Sequence, residues 1–167
     1  EKLALSSSES TQLRRDWALV LDRKLWLLEK QGKIDDALAV AHQQLELLLV
    51  LAHDLPEDHD IQRDRMVVQR TIGILNLRQG RLSDALIELQ KSSELARERS
   101  ARFPADSLAQ SDHATSLADL GTVFSRQGED EQALNVYSEA VEYFEKLTIA
   151  NPSNIELDRK YATALGN

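Results

Sequence analysis

The chain has 167 residues and a net charge of −8, with 42% hydrophobic and 29% charged residues. This composition is typical of a folded domain, and the acidic balance argues against a nucleic-acid partner and against docking on an anionic membrane surface. The sequence contains no cysteine, which excludes disulfides and thiolate metal sites and fits a reducing compartment such as the cytoplasm.

A pattern of glycines and prolines recurs along the chain without a gap. Both residue types return every 48 residues, and an interval of that size indicates a solenoid built from repeated units. The glycines are Gly32, Gly80 and Gly128, and the prolines are Pro56, Pro104 and Pro152.

The residues before the first complete unit match the end of a later one. Glu1-Lys2-Leu3 repeats Glu145-Lys146-Leu147, three intervals away. We therefore expect 1–10 to be the tail of a preceding repeat and the chain to be part of a longer array, since natural arrays end in polar capping elements. The repeats then span 11–58, 59–106 and 107–154, with the start of a fourth at 155–167.

Each repeat predicts two long helices separated by the glycine turn, because glycine commonly follows a helix end. The first helices are predicted at 11–30, 59–78, 107–126 and from 155 onward, and the second helices at 34–54, 82–102 and 130–150. The positions before the first helices hold residues that cap helix N-termini, namely Ser10, Asp58, Asp106 and Asn154. We expect roughly 80% helix, well above the usual share.

The first repeat departs from the other two. It has Lys24-Leu25 where the second repeat has Ile72-Gly73, and it contains both tryptophans, Trp17 and Trp26. Trp26 is either an aromatic anchor for a bound segment or a side chain buried by an upstream repeat. In the second case the chain would expose an apolar end and could form an end-to-end homodimer.

Small residues recur where helices are expected to pack closely. Gly73 and Gly121 lie at equivalent positions within the first helices, although an interior glycine costs roughly 1 kcal/mol relative to alanine. We therefore expect a neighbouring helix to approach closely there. Polar residues also fall at expected core positions, where they need hydrogen-bond partners. These polar residues are Lys24, Gln69 and Asn76.

These repeats resemble the tetratricopeptide repeat (TPR) family. The family pattern of Leu-Gly, a glycine turn, Ala-Leu and a closing proline is matched by Leu120-Gly121, Gly128, Ala133-Leu134 and Pro152. The interval exceeds the usual ~34 residues, which makes the chain similar to long-helix arrays of bacterial multidomain signalling proteins. The resemblance implies an all-α fold, a right-handed α-solenoid of antiparallel helix hairpins, and binding of proteins without catalysis.

The family resemblance implies a partner-binding groove on the concave face lined by the first helices. The candidate groove residues are Leu19, Asp22, Trp26, Lys30, Arg70, Ile74, Arg78, Thr122 and Arg126. Lys30, Arg78 and Arg126 share one position in the repeat and predict a ladder of positive charge. The ladder is either a contact for an acidic or C-terminal peptide segment or a set of cations that complement the helix dipoles.

No pattern in the sequence favours an enzyme, a metal site or a cofactor. His53 and His59 lie near several aspartates, but Pro56 lies between them and the equivalent loops carry no histidine. Neither a nucleophile elbow nor a phosphate-binding loop is present. His42 and His113 are expected on helix surfaces or at satisfied edges.

We therefore expect a protein-interaction scaffold, part of a larger protein, that binds a peptide or helix in its concave groove. One alternative is a structural spacer or self-association array, in which end faces do the binding. A second alternative is a regulatory array, in which a small ligand in the groove changes the superhelical pitch. An open groove lined by Trp26, Arg70, Ile74 and Arg78 would favour the interaction scaffold, whereas a groove filled by its own side chains or by an intramolecular helix would favour the spacer.

Overall fold

The computed structural model describes residues 7–165, with side chains from 10 to 164. About 87% of the described residues are helical, and the part described contains seven α-helices. They are α1 (Ser7–Lys30), α2 (Ile34–Asp54), α3 (His59–Arg78), α4 (Leu82–Arg102), α5 (Ser107–Gln127), α6 (Asp130–Ala150) and α7 (Ile155–Leu165). None of these helices is both long and apolar enough to cross a membrane. The segment matching Glu145-Lys146-Leu147 lies outside the described residues.

Capping residues start three of the first helices as predicted. Asp58 Oδ1 accepts hydrogen bonds from two backbone N–H groups of α3, both at 3.1 Å. Asp106 and Asn154 do the same for α5 and α7, which satisfies donors that a helix N-terminus leaves unpaired. The predicted cap at Ser10 is wrong, because α1 begins at Ser7 and runs through Ser10.

The glycine turns end the first helices in the left-handed conformation. Gly32, Gly80 and Gly128 have φ angles of 69°, 74° and 78°, a region that is open to glycine and strained for other residues. The chain then reverses within three residues into the second helix. The predicted hairpins are therefore confirmed.

The interior glycines make room for large side chains of the second helix in the same repeat. A Cβ atom added to Gly73 would lie 2.5 Å from Leu89 Cγ. One added to Gly121 would lie 2.7 Å from Tyr137 Cε1. The predicted close approach at both positions is confirmed, and the second helix reaches the first through these side chains.

The first repeat reverses this arrangement of large and small side chains. Leu25 replaces the glycine and is buried, while the position equivalent to Leu89 and Tyr137 holds Ala41, which has no exposed surface. Leu25 and Ala41 belong to the same apolar cluster. The departure from the Leu-Gly pattern is therefore compensated within the hairpin.

The three polar residues predicted in the core differ in burial and in hydrogen bonding. Asn76 is buried and its Oδ1 accepts a hydrogen bond of 2.8 Å from Arg81 Nε. Gln69 is also buried, and its Oε1 has no hydrogen-bond partner within the described part of the chain. Lys24 is exposed, so the expectation that it enters the core was wrong.

His113 is buried, contrary to the surface position expected for it. It exposes 3% of its surface, its ring lies 4.9 Å from that of Tyr143, and its Nδ1 is 3.4 Å from Ser100 Oγ. Burial lowers the pKa of His113, with Arg97 acting in the same direction and Glu139 opposing both. The ring is therefore a core group that favours the neutral form.

The spacing of the helices identifies the inner face of the array. The first helices α3 and α5, and likewise α5 and α7, approach within 8 Å between Cα atoms, whereas no two successive second helices do so within the described residues. The first helices therefore line the inner side of an α-solenoid, and three successive apolar clusters form its core. α1 and α3 are an exception, because no pair of their Cα atoms comes within 8 Å.

Candidate functional site

The wide spacing between α1 and α3 leaves a cleft of about 470 Å³ on the inner face. Leu19 and Asp22, two of the predicted groove residues, lie in its wall. Leu19 exposes 64% of its surface, which is unusual for a leucine flanked by structured helices. The α1–α3 cleft therefore combines an accessible apolar side chain with a carboxylate.

The α1–α3 cleft is acidic. Four aspartates border it, namely Asp16, Asp22, Asp60 and Asp64. The two arginines at its border are directed elsewhere: Arg15 pairs with Asp58, and Arg63 Nε lies 2.8 Å from an oxygen of Asp112. Both of these acceptors lie outside the lining of the cleft, so the negative charge inside it is only partly compensated.

The pKa of Asp64 reflects the negative charge of the α1–α3 cleft. Partial burial raises its pKa, and the negative charges of Asp60, Asp22 and Asp58 raise it further, against the opposing effect of Arg63. Asp22 lies on α1 and Asp64 on α3, so carboxylates face each other across the cleft. A cation bound between them would relieve this repulsion.

A second cleft, of about 360 Å³, lies between α5 and α7 and has the opposite charge. Its lining contains Arg70, Arg159 and Lys160 against the single carboxylate of Asp119, together with the predicted groove residue Thr122. Arg70 forms an ion pair with Asp119, and burial raises the pKa of Asp119 while Arg70 lowers it. The α5–α7 cleft is therefore basic, with Arg159 and Lys160 at its rim.

The predicted ladder of positive charge is partly engaged by the array itself. Arg78 Nη1 lies 3.2 Å from a carboxylate oxygen of Glu29, and Arg126 Nη1 donates to the carbonyl of Leu77 at 3.2 Å. Lys30 lies over the ring of Trp26, 5.7 Å from its centroid. These cations join neighbouring first helices or cover a neighbouring side chain, and Trp26 remains 54% exposed.

The remaining predicted groove residue, Ile74, has a packing role. It is half-buried and lies against the second apolar cluster. The structure therefore brings Leu19 and Asp22 together in one cleft and Arg70 and Thr122 together in another. Trp26, Lys30, Arg78 and Arg126 lie outside the linings of both clefts.

A regular set of contacts joins successive first helices at an offset of 49 residues, one repeat interval plus one. The clearest are Arg63 with Asp112 and Arg70 with Asp119, each an arginine opposite an aspartate. The same offset relates Lys160 Nζ to Ser111 Oγ at 3.0 Å. Sequence reasoning missed these contacts, although opposite charges at that offset are visible in the sequence.

The histidines and aspartates of the first proline loop do not converge. His53 is exposed beside Asp54, the ring of His59 stacks edge-on against Phe103 at 4.7 Å, and Asp58 is occupied as a cap. Across the described residues, no three histidine or acidic side chains are arranged to hold a metal ion.

Neither a protein-family model nor a curated protein matches the sequence. The structure is similar to the C-terminal TPR-containing domain of a Plasmodium falciparum protein named for FK506 binding. The TM-score is 0.50 at 13% sequence identity, and the match covers 98% of this chain and 93% of that domain. The fold is therefore a TPR-like helical repeat.

Proposed function

We propose that this chain is a non-catalytic interaction scaffold that holds a peptide or helix of a partner protein against the inner face of its first helices. The observation that carries the proposal is that this face is open, with clefts of about 470 and 360 Å³ between successive first helices. Volumes of several hundred Å³ suit inserted side chains. The exposed Leu19 and Trp26 add apolar contact area at one end of the face.

The candidate groove residues are proposed to take part in binding in two different ways. Leu19, Asp22 and Trp26 are exposed and are proposed to contact the partner directly. Arg70 and Arg78 hold neighbouring first helices together and are proposed to shape the groove. Lys30, Ile74, Thr122 and Arg126 complete the proposed set.

The finer part of the family resemblance is also a proposal. The uninterrupted interval of 48 residues supports a place among long-helix TPR arrays, with repeats at 11–58, 59–106 and 107–154. Arrays of that kind occur in bacterial multidomain signalling proteins, and a cytoplasmic location would follow from that setting. The same setting would make this chain the recognition part of a larger protein.

Selection of nine-residue peptides from a random library on the chain tests the binding role. Peptides should be enriched, and their binding should weaken about tenfold or more in a Leu19→Ala/Trp26→Ala variant, since buried aromatic and aliphatic anchors dominate such interfaces. Leu134→Ala/Ile149→Ala is the matched control, because both side chains are exposed on the second helix α6. Failure to enrich any peptide, or equal weakening in both variants, would contradict the proposal.

A second candidate function, self-association, is favoured by an apolar stripe on α1. Its side chains are each more than half exposed: Leu13 60%, Trp17 54%, Val20 52% and Leu27 51%. Three of the four equivalent positions on α3 hold the buried residues Ile61, Val68 and Leu75, and the fourth, equivalent to Trp17, holds the half-buried Arg65. An end-to-end homodimer would cover the stripe. Sedimentation equilibrium should then show a dimer that Trp17→Glu dissociates, and a monomer at high concentration would contradict it.

A further inference from the structure

The α1–α3 cleft presents hydrogen-bond acceptors from both of its walls. Asp22 lies on the α1 side, and Asp60 and Asp64 lie on the α3 side. Among the described residues, none of these three side chains has an ion-pair or side-chain hydrogen-bond partner. Carboxylates that are left without partners in a cleft favour a ligand that donates hydrogen bonds and carries positive charge.

A buried amide at the base of the cleft points to the same kind of ligand. Gln44 borders the cleft and exposes only 5% of its surface. Its Nε2 donates to the carbonyl of Ala18 at 3.3 Å, whereas its Oε1 is buried without a donor among the residues described. A buried acceptor without a partner costs free energy, which a donor entering the cleft would recover.

The equivalent position in the second repeat has no unpaired amide oxygen. The unpaired acceptor is therefore a feature of the first repeat and not of the second. Ser92 takes the place of Gln44 and donates to the carbonyl of Met66 at 2.9 Å, the same interaction one repeat later. Because serine uses its hydroxyl for that bond, no amide oxygen is left over. The glutamine thus adds an acceptor that the backbone contact does not require.

Part of the cleft lining is apolar and has room for a hydrocarbon stem. Ala18, Leu51, Ile61 and Val67 form part of its lining, and Leu19 stands at its edge. The acidic groups are not arranged to hold a metal ion, as far as the described residues show. A lysine or arginine side chain matches both features, because it carries donors on a long aliphatic stem.

We infer that the α1–α3 cleft binds a lysine or arginine side chain of the partner peptide, with its stem on the apolar lining and its charged end among Asp22, Asp64 and Gln44 Oε1. This inference rests on the proposed function, because it assigns a side-chain chemistry to one part of the same groove. The raised pKa of Asp64 agrees with it, since a bound cation would favour the charged carboxylate.

The test compares peptide selection on three forms of the chain. Random nine-residue peptides are selected on the wild type, on Asp22→Asn/Asp64→Asn, and on Glu142→Gln/Glu145→Gln, whose side chains are exposed on the second helix α6. Both double variants remove two negative charges, so general electrostatic attraction changes equally. Circular dichroism verifies that each variant is folded.

The inference predicts that lysine and arginine are enriched on the wild type and on the control, and that the enrichment is lost on Asp22→Asn/Asp64→Asn. The best basic peptide should bind that variant about tenfold more weakly or worse, as expected for losing hydrogen bonds to a charged group. Peptide enrichment without basic residues, or basic enrichment that persists in the variant, would overturn the inference and leave the proposed function intact. Absence of any enriched peptide would contradict both.

Discussion

The first and second repeats solve the same packing problem with opposite distributions of side-chain volume. In the second repeat the first helix contributes Gly73 and the second helix contributes Leu89, whereas in the first repeat Leu25 faces the position of Ala41. Both arrangements are buried. Close-packed interiors constrain the summed volume at a contact more tightly than the identity of either residue.

The same two repeats also differ in how their first helices join the next. The α3–α5 junction is bridged by Arg70 and Asp119. At the α1–α3 junction the equivalent positions hold Asp22 and Thr71, which have no complementary charge. That junction has no close backbone approach and contains the acidic cleft. The α1–α3 junction therefore keeps the ion pair of Arg78 with Glu29 but lacks a bridge at the position of Arg70 and Asp119.

Changing the side-chain volumes at Leu25 and Ala41, which pack together in the first repeat, should have the largest effect on the free energy of unfolding. Leu25→Gly should cost about 3–5 kcal/mol, because it leaves a cavity and adds helix flexibility. Adding Ala41→Leu should restore a large part of the loss by recreating the second repeat's arrangement. Urea unfolding followed by fluorescence of Trp17 and Trp26, both on α1, measures the change locally. No recovery in the double variant would refute the volume exchange.

Breaking the bridge at the α3–α5 junction should have the next largest effect. Arg70→Ala should cost about 2 kcal/mol, since it leaves the partly buried carboxylate of Asp119 without its cation. Arg70→Ala/Asp119→Asn should cost less than Arg70→Ala alone, because no unpaired charge remains. Arg78→Ala, whose ion pair is more exposed, is the control and should cost less than about 1 kcal/mol. Chemical denaturation measures the free energy of unfolding of each variant. Equal losses for Arg70→Ala and Arg78→Ala would disprove the bridging role of Arg70.

The stability of the chain should depend on pH because of His113. This residue occupies the position that holds the exposed Trp17 in the first repeat. Because its folded pKa is lowered, the unfolded chain binds the proton more tightly. Stability is then fully present above about pH 6.5 and falls below it, by no more than about 1.4 kcal/mol per pH unit.

The measurement is urea unfolding at several pH values for the wild type and His113→Phe, which keeps an aromatic ring against Tyr143. The variant should lose less stability between pH 7 and 5 than the wild type. His53→Asn, at an exposed position, should keep the wild-type slope. Identical slopes for the wild type and His113→Phe would rule out His113 as the source.

Building a second bridge at the α1–α3 junction, in addition to the pair of Arg78 with Glu29, should have the smallest effect on stability. Asp22→Arg/Thr71→Asp copies the residues of the α3–α5 junction and should add at most about 1 kcal/mol, because the new pair is partly exposed. It should also abolish binding of basic peptides in the α1–α3 cleft. Asp22→Arg alone separates the loss of the acidic charge from the formation of a bridge. Undiminished basic-peptide binding in the double variant would argue against the cleft as the binding site.

The helices could be predicted because their signals are local. The turn at Gly80 and the cap at Asp58 depend on residues within one helical turn, and they repeat at a fixed interval, so each instance supports the others. The exception is Ser10, where α1 continues towards the N-terminus beyond the repeat boundary. A capping residue permits a helix start but does not require one.

The candidate site was harder to predict because it depends on pairs of residues far apart in sequence. Arg78 and Arg126 were predicted to face a ligand, yet both contact the preceding first helix. The burial of His113 depends on Tyr143 and Ser100, which lie on α6 and α4. Such contacts follow from the spacing between repeats, which helical periodicity within one helix does not determine.

The ion pair between Arg70 and Asp119 also limits which repeat can follow which along the chain. If residues 59–106 were deleted, α1 would precede α5, and Asp22 would take the place of Arg70 opposite Asp119. Two carboxylates would then meet where one is already partly buried. A duplicated copy of 59–106 would instead set Arg70 against Thr71, a neutral neighbour. At this contact, a copied middle unit is therefore tolerated better than a lost one.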